Sequence, residues 1–158
     1  MVILMKKIIK LILVLLVMIT IFIFSNDSRK ASSNKSDSLI SRTVEIILNR
    51  KLTNKEKEIY ISKYVVIVRK TAHFTLYFLL GLFYISFLKE FNLDNKKLLI
   101  YTIIFVFIYA CSDEVHQIFV GRSGEVLDVL LDTLGGTTSS LIYTKIRRKK
   151  YEQKEAIS

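Results

Sequence analysis

The chain contains no proline, no tryptophan, one cysteine and five glycines, the first of them Gly81. A single cysteine excludes an intrachain disulfide and any paired-thiol metal site, and Cys111 lies inside an apolar stretch. With no proline at all and no glycine before Gly81, nothing in the first half marks a floppy linker or a forced helix break. Acidic residues are scarce beside basic ones, 14 Asp and Glu against 24 Lys and Arg, for a formal net charge of +10. In a soluble chain that excess would point to nucleic acid. Here the basic residues flank apolar blocks, as membrane topology demands, so nucleic acid is not expected as a partner.

What is abundant is apolar sequence, 51% of 158 residues. It gathers into four blocks. Ile8 or Leu11 to Phe24, Thr71 to Leu88 and Leu98 to Ser112 are nearly free of charge, and Val126 to Tyr143 carries two aspartates. A soluble domain of this length could not bury four such blocks and still present a charged surface, whereas a helical membrane protein exposes them to lipid. The expectation is an all-α, polytopic membrane helical bundle forming a single domain over 1–158. Four transmembrane helices are placed at about 8–25, 68–88, 97–119 and 126–145, with a basic cytoplasmic tail at 146–158. The first block resembles a signal peptide in its leading Lys6, Lys7 and Lys10. Ile23, however, occupies the position three before a cut after Ser25, where a small residue is wanted, so a retained anchor is favoured.

The basic residues divide equally between the two sides of such a bundle, and density breaks the tie. Those near Lys6, Lys89 and Lys145 crowd into short segments, while most others are diluted between Ser25 and Val68. This predicts an N-in, C-in multi-pass protein of the cell membrane. Within the first outer loop, Leu39, Ile40, Val44, Ile47 and Leu48 fall at helical spacing and predict a short amphipathic helix. Asn54 and the charged run after it predict a second helix start that continues through Tyr64 into the next span.

The informative residues are ionisable groups near the outer ends of the last three spans. At about 1.5 Å per residue from the basic anchor at each inner end, His73 and Asp113 both lie about 24 Å up, Asp128 about 26 Å and Asp132 about 20 Å. These depths fall within a hydrocarbon core about 30 Å thick. A charge there costs a few kcal/mol unless it pairs, meets water or faces the bundle interior. Each helix offers a stripe that permits this. Arg69, His73 and Tyr77 share one, Asp113 and Gln117 share another with His116 beside it, and Asp128 and Asp132 share a third that continues through the small residues Gly135 and Ser139. A polar cluster between spans two, three and four is the consequence, with Arg69, Lys70 and Arg122 positive and Asp113, Glu114, Asp128 and Asp132 negative.

The segment RKTAHFTLYFLLG, the later SDEVHQIFVGRSGEVLDVLLDTLGG and the FSNDS after the first block together resemble the VanZ-like family of small membrane proteins. The Arg-Lys followed by Ala-His-Phe matches Arg69, Lys70, Ala72, His73 and Phe74. The Asp-Glu-x-His-Gln signature with downstream Gly-Arg and Asp matches Asp113, Glu114, His116, Gln117, Gly121, Arg122 and Asp128. Val120 stands where a proline commonly precedes Gly-Arg, and Ser139 where a second glycine often follows Gly135. The resemblance covers about residues 20–145. It implies a cell-envelope role and an effect on susceptibility to the glycopeptide teicoplanin, without supplying a reaction.

Three function classes fit these residues. The first is binding of an anionic or peptidoglycan-related envelope ligand, an envelope precursor or a glycopeptide-related molecule, by Arg69, Lys70 and Arg122, with Asp113, Gln117, Asp128 and Asp132 completing the site. The second is a membrane enzyme acting on a lipid-linked substrate, with Glu114 or His116 as general base and His73 as acid partner. The third is a structural ion-pair and hydrogen-bond network that fixes helix packing, with function residing in partner binding; in the plainest reading of single residues, Arg69 and Lys70 are interfacial anchors and His73 and His116 packing residues. Zinc on the two histidines with Asp113 or Glu114 has suitable ligand types, but the spacing matches no strong zinc motif, so no metal or cofactor is expected. Tyr77, Tyr84, Tyr101 and Tyr109 read most simply as packing or lipid-facing residues. The bilayer lipids themselves are the remaining expected partners.

Overall fold

The computed structural model describes residues 2–26, 29–122 and 124–155. Asp27 and Ser28 of the FSNDS segment, Ser123, and the last three residues of the basic tail lie outside them. Five helices follow one another: α1 (Val2–Asn26), α2 (Arg29–Leu48), α3 (Asn54–Leu88), α4 (Asn95–Phe119) and α5 (Val126–Glu155), with a 3₁₀ turn at Lys89–Phe91. Three stretches are long and apolar enough to cross a membrane: Leu4–Asn26, Asn54–Phe91 and Asn95–Phe119.

In α1, no breaker interrupts the apolar run. Val14, Val17, Ile21 and Ser25 are buried, a three-and-four spacing that gives the helix one packed face. The helix of the first loop is longer than its amphipathic portion, beginning at Arg29. Its expected apolar stripe, with Tyr60, Tyr64 and Val68 of α3, lines a groove. The start of α3 is fixed by a capping box. Thr53 Oγ1 accepts from Glu56 N–H, and the Glu56 carboxylate accepts from Thr53 N–H at 2.9 Å. Thr53 is thus the cap and Asn54 the first helical residue, as the sequence places it. At 35 residues, α3 is about 52 Å long and exceeds the hydrocarbon thickness, so its first turns extend past the core to pack with α2. Asn92, with φ of 57°, ends the 3₁₀ turn, and Asp94 caps α4 by accepting from Lys97 N–H at 2.8 Å.

The bundle core is built by Val14, Val17, Ile21, Tyr77, Leu80, Val106 and Ala110. Small residues bring α3 and α5 together. A Cβ on Gly135 would sit 2.6 Å from the Phe74 carbonyl oxygen, and one on Gly81 would sit 2.6 Å from that of Gly136. The stripe through Asp132, Gly135 and Ser139 is therefore a packed face, as its composition predicts. At one end of the bundle the start of α1 meets the end of α3. Lys10 Nζ donates to the Glu90 carboxylate and to Ser86 O, and Lys7 lies over the Phe91 ring.

Candidate functional site

The opposite end of the bundle holds a cleft of about 270 Å³ lined by Arg69, Lys70 and His73 of α3, Gln117 of α4, Arg122 and Glu125 of the α4–α5 link, and Asp128 and Asp132 of α5, with Val66 and Leu131. Local chain chemistry sets its rim. Helix α4 ends when Gly121 takes φ of 79°, a left-handed conformation that costs glycine little. The Arg122 N–H then donates to Gln117 O and the Gly121 N–H to Ile118 O, at 3.0 and 3.1 Å. This paired closure of the last carbonyls is a Schellman turn. It explains the Gly-Arg pair in physical terms: the glycine permits the turn, and the turn delivers Arg122 to the cleft.

On the next turn of chain, Glu114 reaches across and its carboxylate accepts from Glu125 N–H at 2.6 Å. Glu114 therefore ties the link that precedes α5. Lys70 Nζ donates to Asp128 at 2.5 Å and lies 3.6 Å from Glu125. Lys70 is thus doubly paired, and Asp128, in the first turn of α5, also faces the favourable end of that helix dipole.

Deeper in, His73 Nδ1 is 3.5 Å from Asp132 Oδ2. Donor atoms of His73, Asp113 and Asp132 all lie within 4.8 Å of one another. Asp113 is held by Gln117, whose Nε2 donates to it at 3.0 Å, which is the four-residue stripe acting as spacing predicts. Asp113, Glu114, Gln117 and Asp132 are all buried. The Tyr77 hydroxyl faces the same carboxylates and, like Asp132 Oδ1, has no hydrogen-bond partner of ordinary geometry.

Most of the sequence-derived residues thus converge, and one does not. His116 stacks on Phe22 of α1 at 4.7 Å between ring centroids and does not line the cleft. Of the two alternative bases, His116 is thus turned from the cleft toward α1, while Glu114 is engaged by the Glu125 N–H. Glu125 is a cleft-lining residue the sequence reading missed, because its position in the link gives no stripe to recognise. The only available signal was its place three residues before Asp128.

Among the described residues, neither the Arg69 nor the Arg122 guanidinium makes an ion pair within 4.0 Å or a side-chain hydrogen bond. Both line the cleft, half-buried. Two forked donors with unused hydrogen-bonding capacity, beside a Lys70 already engaged by Asp128 and Glu125, can hold a phosphate or carboxylate.

These features define an α-helical membrane protein with a charged cleft between its helices at one end of the bundle. The VanZ/LLP1 family model matches residues 10–147, and the chain belongs to that family. No curated protein and no solved structure matches it.

Proposed function

We propose that this VanZ-like protein crosses the cell membrane four times, with both termini inside, and binds the anionic group of an envelope ligand in a cleft opening at the outer leaflet. The observation that carries the reading is the pair of uncommitted guanidinium groups, Arg69 and Arg122, in a cleft whose third cation, Lys70, is already paired with Asp128 and Glu125. A purely structural network would be expected to pair its arginines first, because an unpaired cation at this depth costs a few kcal/mol.

The fourth span is α5. Leu127, Leu130, Leu134, Leu141 and Ile142 form its exposed surface while Asp132, Ser139 and Ser140 are buried, so its polar groups face the bundle and its aliphatic ones face lipid. The inside-facing end is the one that collects Lys7, Lys10, Lys89 and the basic end of α5. Teicoplanin-type glycopeptides carry a lipid tail that places them at the outer leaflet, and sequestering or masking an envelope precursor there would change the response to them.

Binding is tested on the full chain in phosphatidylcholine nanodiscs, with a chelator present and a polyprenyl phosphate as the probe. Saturable binding that falls about tenfold in Arg122→Lys, which keeps the charge but loses the fork, is the expected result. Binding unchanged in both Arg122→Lys and Arg69→Lys overturns the assignment. Topology is tested with an impermeant thiol label on intact cells, in a Cys111→Ser background. Asn49→Cys should label and Asn95→Cys should not, and the reverse pattern refutes the orientation.

A further inference from the structure

The floor of the cleft differs in chemistry from its rim. Imidazole and carboxylate donors from three helices, His73 on α3, Asp113 on α4 and Asp132 on α5, lie within 4.8 Å of one another. Asp132 is only 2% exposed, and its Oδ1 has no hydrogen-bond partner. The Tyr77 hydroxyl, wholly buried, lies beside the same carboxylates without a hydrogen bond of ordinary geometry. A buried carboxylate oxygen without a donor is costly, and it belongs to one of the three residues that converge.

The charges point the same way. Five carboxylates, Asp113, Glu114, Glu125, Asp128 and Asp132, line or adjoin the cleft against three cations, Arg69, Lys70 and Arg122. The carboxylates thus outnumber the cations, and Asp113, Glu114 and Asp132 have no ion pair with Arg69, Lys70 or Arg122; Glu114 instead accepts from Glu125 N–H, which leaves Asp113 and Asp132 beside His73.

We propose that His73, Asp113 and Asp132 bind a divalent transition-metal ion, Zn²⁺ or Mn²⁺. Bonds of about 2.1 Å in tetrahedral geometry place donors about 3.4 Å apart. The His73–Asp132 edge is already 3.5 Å, and the remaining donors, none farther than 4.8 Å from another, close by side-chain rotation. One imidazole nitrogen with two carboxylates suits Zn²⁺ and Mn²⁺ better than Ca²⁺ or Mg²⁺, which favour all-oxygen shells. Three protein ligands leave a further position, and His73 and Asp132 both line the cleft, so that position is reached from it. The Gln117 amide, donating to Asp113, orients that ligand.

The test uses the chelator-stripped full chain in phosphatidylcholine nanodiscs, titrated calorimetrically with ZnCl₂, MnCl₂, MgCl₂ and CaCl₂ in phosphate-free buffer. One Zn²⁺ or Mn²⁺ per chain is expected, bound at least tenfold more tightly than Mg²⁺ or Ca²⁺. His73→Gln and Asp132→Asn should each weaken it at least tenfold, while His116→Gln, altering the histidine that faces Phe22, should leave it unchanged. The Mn²⁺-loaded wild type adds a readout that needs no variant: its spin-echo spectrum should show coupling to one imidazole nitrogen. Absence of saturable binding, of nitrogen coupling, or of any difference between the His73 and His116 variants overturns the proposal. Anion binding is measured with chelator and metal binding without phosphate, so either reading can fail alone.

Discussion

Replacing Gly135 with alanine tests the helix contact on which the whole cleft depends. The new methyl would meet the Phe74 carbonyl oxygen at 2.6 Å and the Phe78 nitrogen at 3.2 Å. Both atoms belong to the α3 backbone and cannot swing aside, so α3 and α5 must part by roughly 0.5 Å or more, an overpacking that costs about 2–3 kcal/mol. That corresponds to a fall of about 30- to 150-fold in the ratio of folded to unfolded protein. Reversible unfolding in mixed detergent micelles measures it directly. A Lys70→Cys, Asp128→Cys pair, made in a Cys111→Ser background, should also cross-link more slowly when Gly135→Ala is added. Gly124→Ala is the control, because its methyl would meet no backbone atom, only the exposed Ile118 side chain at Cδ1, 2.6 Å, and Cγ1, 2.7 Å, both of which a change of χ1 carries away. It should cost under about 1 kcal/mol. If Gly135→Ala and Gly124→Ala unfold alike, the close approach of α3 and α5 is not what holds His73 against Asp132.

Three further outcomes follow from named contacts. Lys70→Asp and Asp128→Lys should each destabilise the bundle, and combining them should restore about 1 kcal/mol relative to additivity; strict additivity in the same micelle assay refutes the pairing. Glu114→Gln retains an acceptor for Glu125 N–H and should accumulate normally, whereas Glu114→Ala leaves that N–H without its partner and should cost about 1–3 kcal/mol, read as lower membrane abundance and earlier unfolding. In the α2–α3 loop, the Leu52 N–H bonded at 3.0 Å, with help from Lys57, holds the Glu45 carboxylate below its ordinary value of 4.5. Because the folded value is the lower one, this contribution is complete above pH 4.5 and is lost as pH falls through the folded value. An NMR titration of the Leu52 amide should give a midpoint below 4.5, and one at or above 4.5 removes the argument.

The common depth of His73, Asp113 and Asp132 could be read from sequence because helix rise is nearly constant and each span carries a basic anchor. Their convergence could be read because an isolated charge at that depth is expensive. The face on which a histidine lies was harder. His116 is three residues beyond Asp113, which turns it about 60° round the helix, enough to meet Phe22 of α1 instead of the cleft. Periodicity on one helix carries no information about which neighbour occupies which side. The start of α3 was legible at Asn54, whereas the caps Thr53 and Asp94 went unread although both are residue types that cap helices. Helix ends were not legible where the only cue was a change of solvent. Lys145 marks an expected membrane boundary, yet α5 runs on to Glu155, since a helix does not stop on leaving lipid. Glu125 escaped notice for a related reason: a residue in a short link acquires its partner, Lys70, only when two distant helices pack.

The uneven pairing of the three cations yields the most discriminating prediction. Lys70 is satisfied by Asp128 and Glu125, so removing it leaves two carboxylates without their cation, and Lys70→Met should destabilise the bundle. Arg122 is half-buried and, among the described residues, has no ion-pair partner. An unpaired charge in such a place opposes folding, and an apolar side chain of similar length there removes the desolvation cost without breaking any bond. Arg122→Met should therefore leave stability unchanged or raise it, while abolishing binding of a polyprenyl phosphate and any effect on teicoplanin susceptibility. Stability is read by micelle unfolding, function by nanodisc binding and drug response, at matched membrane abundance. A site kept at a cost in stability is expected where the residue serves a ligand and not where it serves the fold. If Arg122→Met unfolds as readily as Lys70→Met, Arg122 belongs to the scaffold and the anion-binding assignment loses its main support.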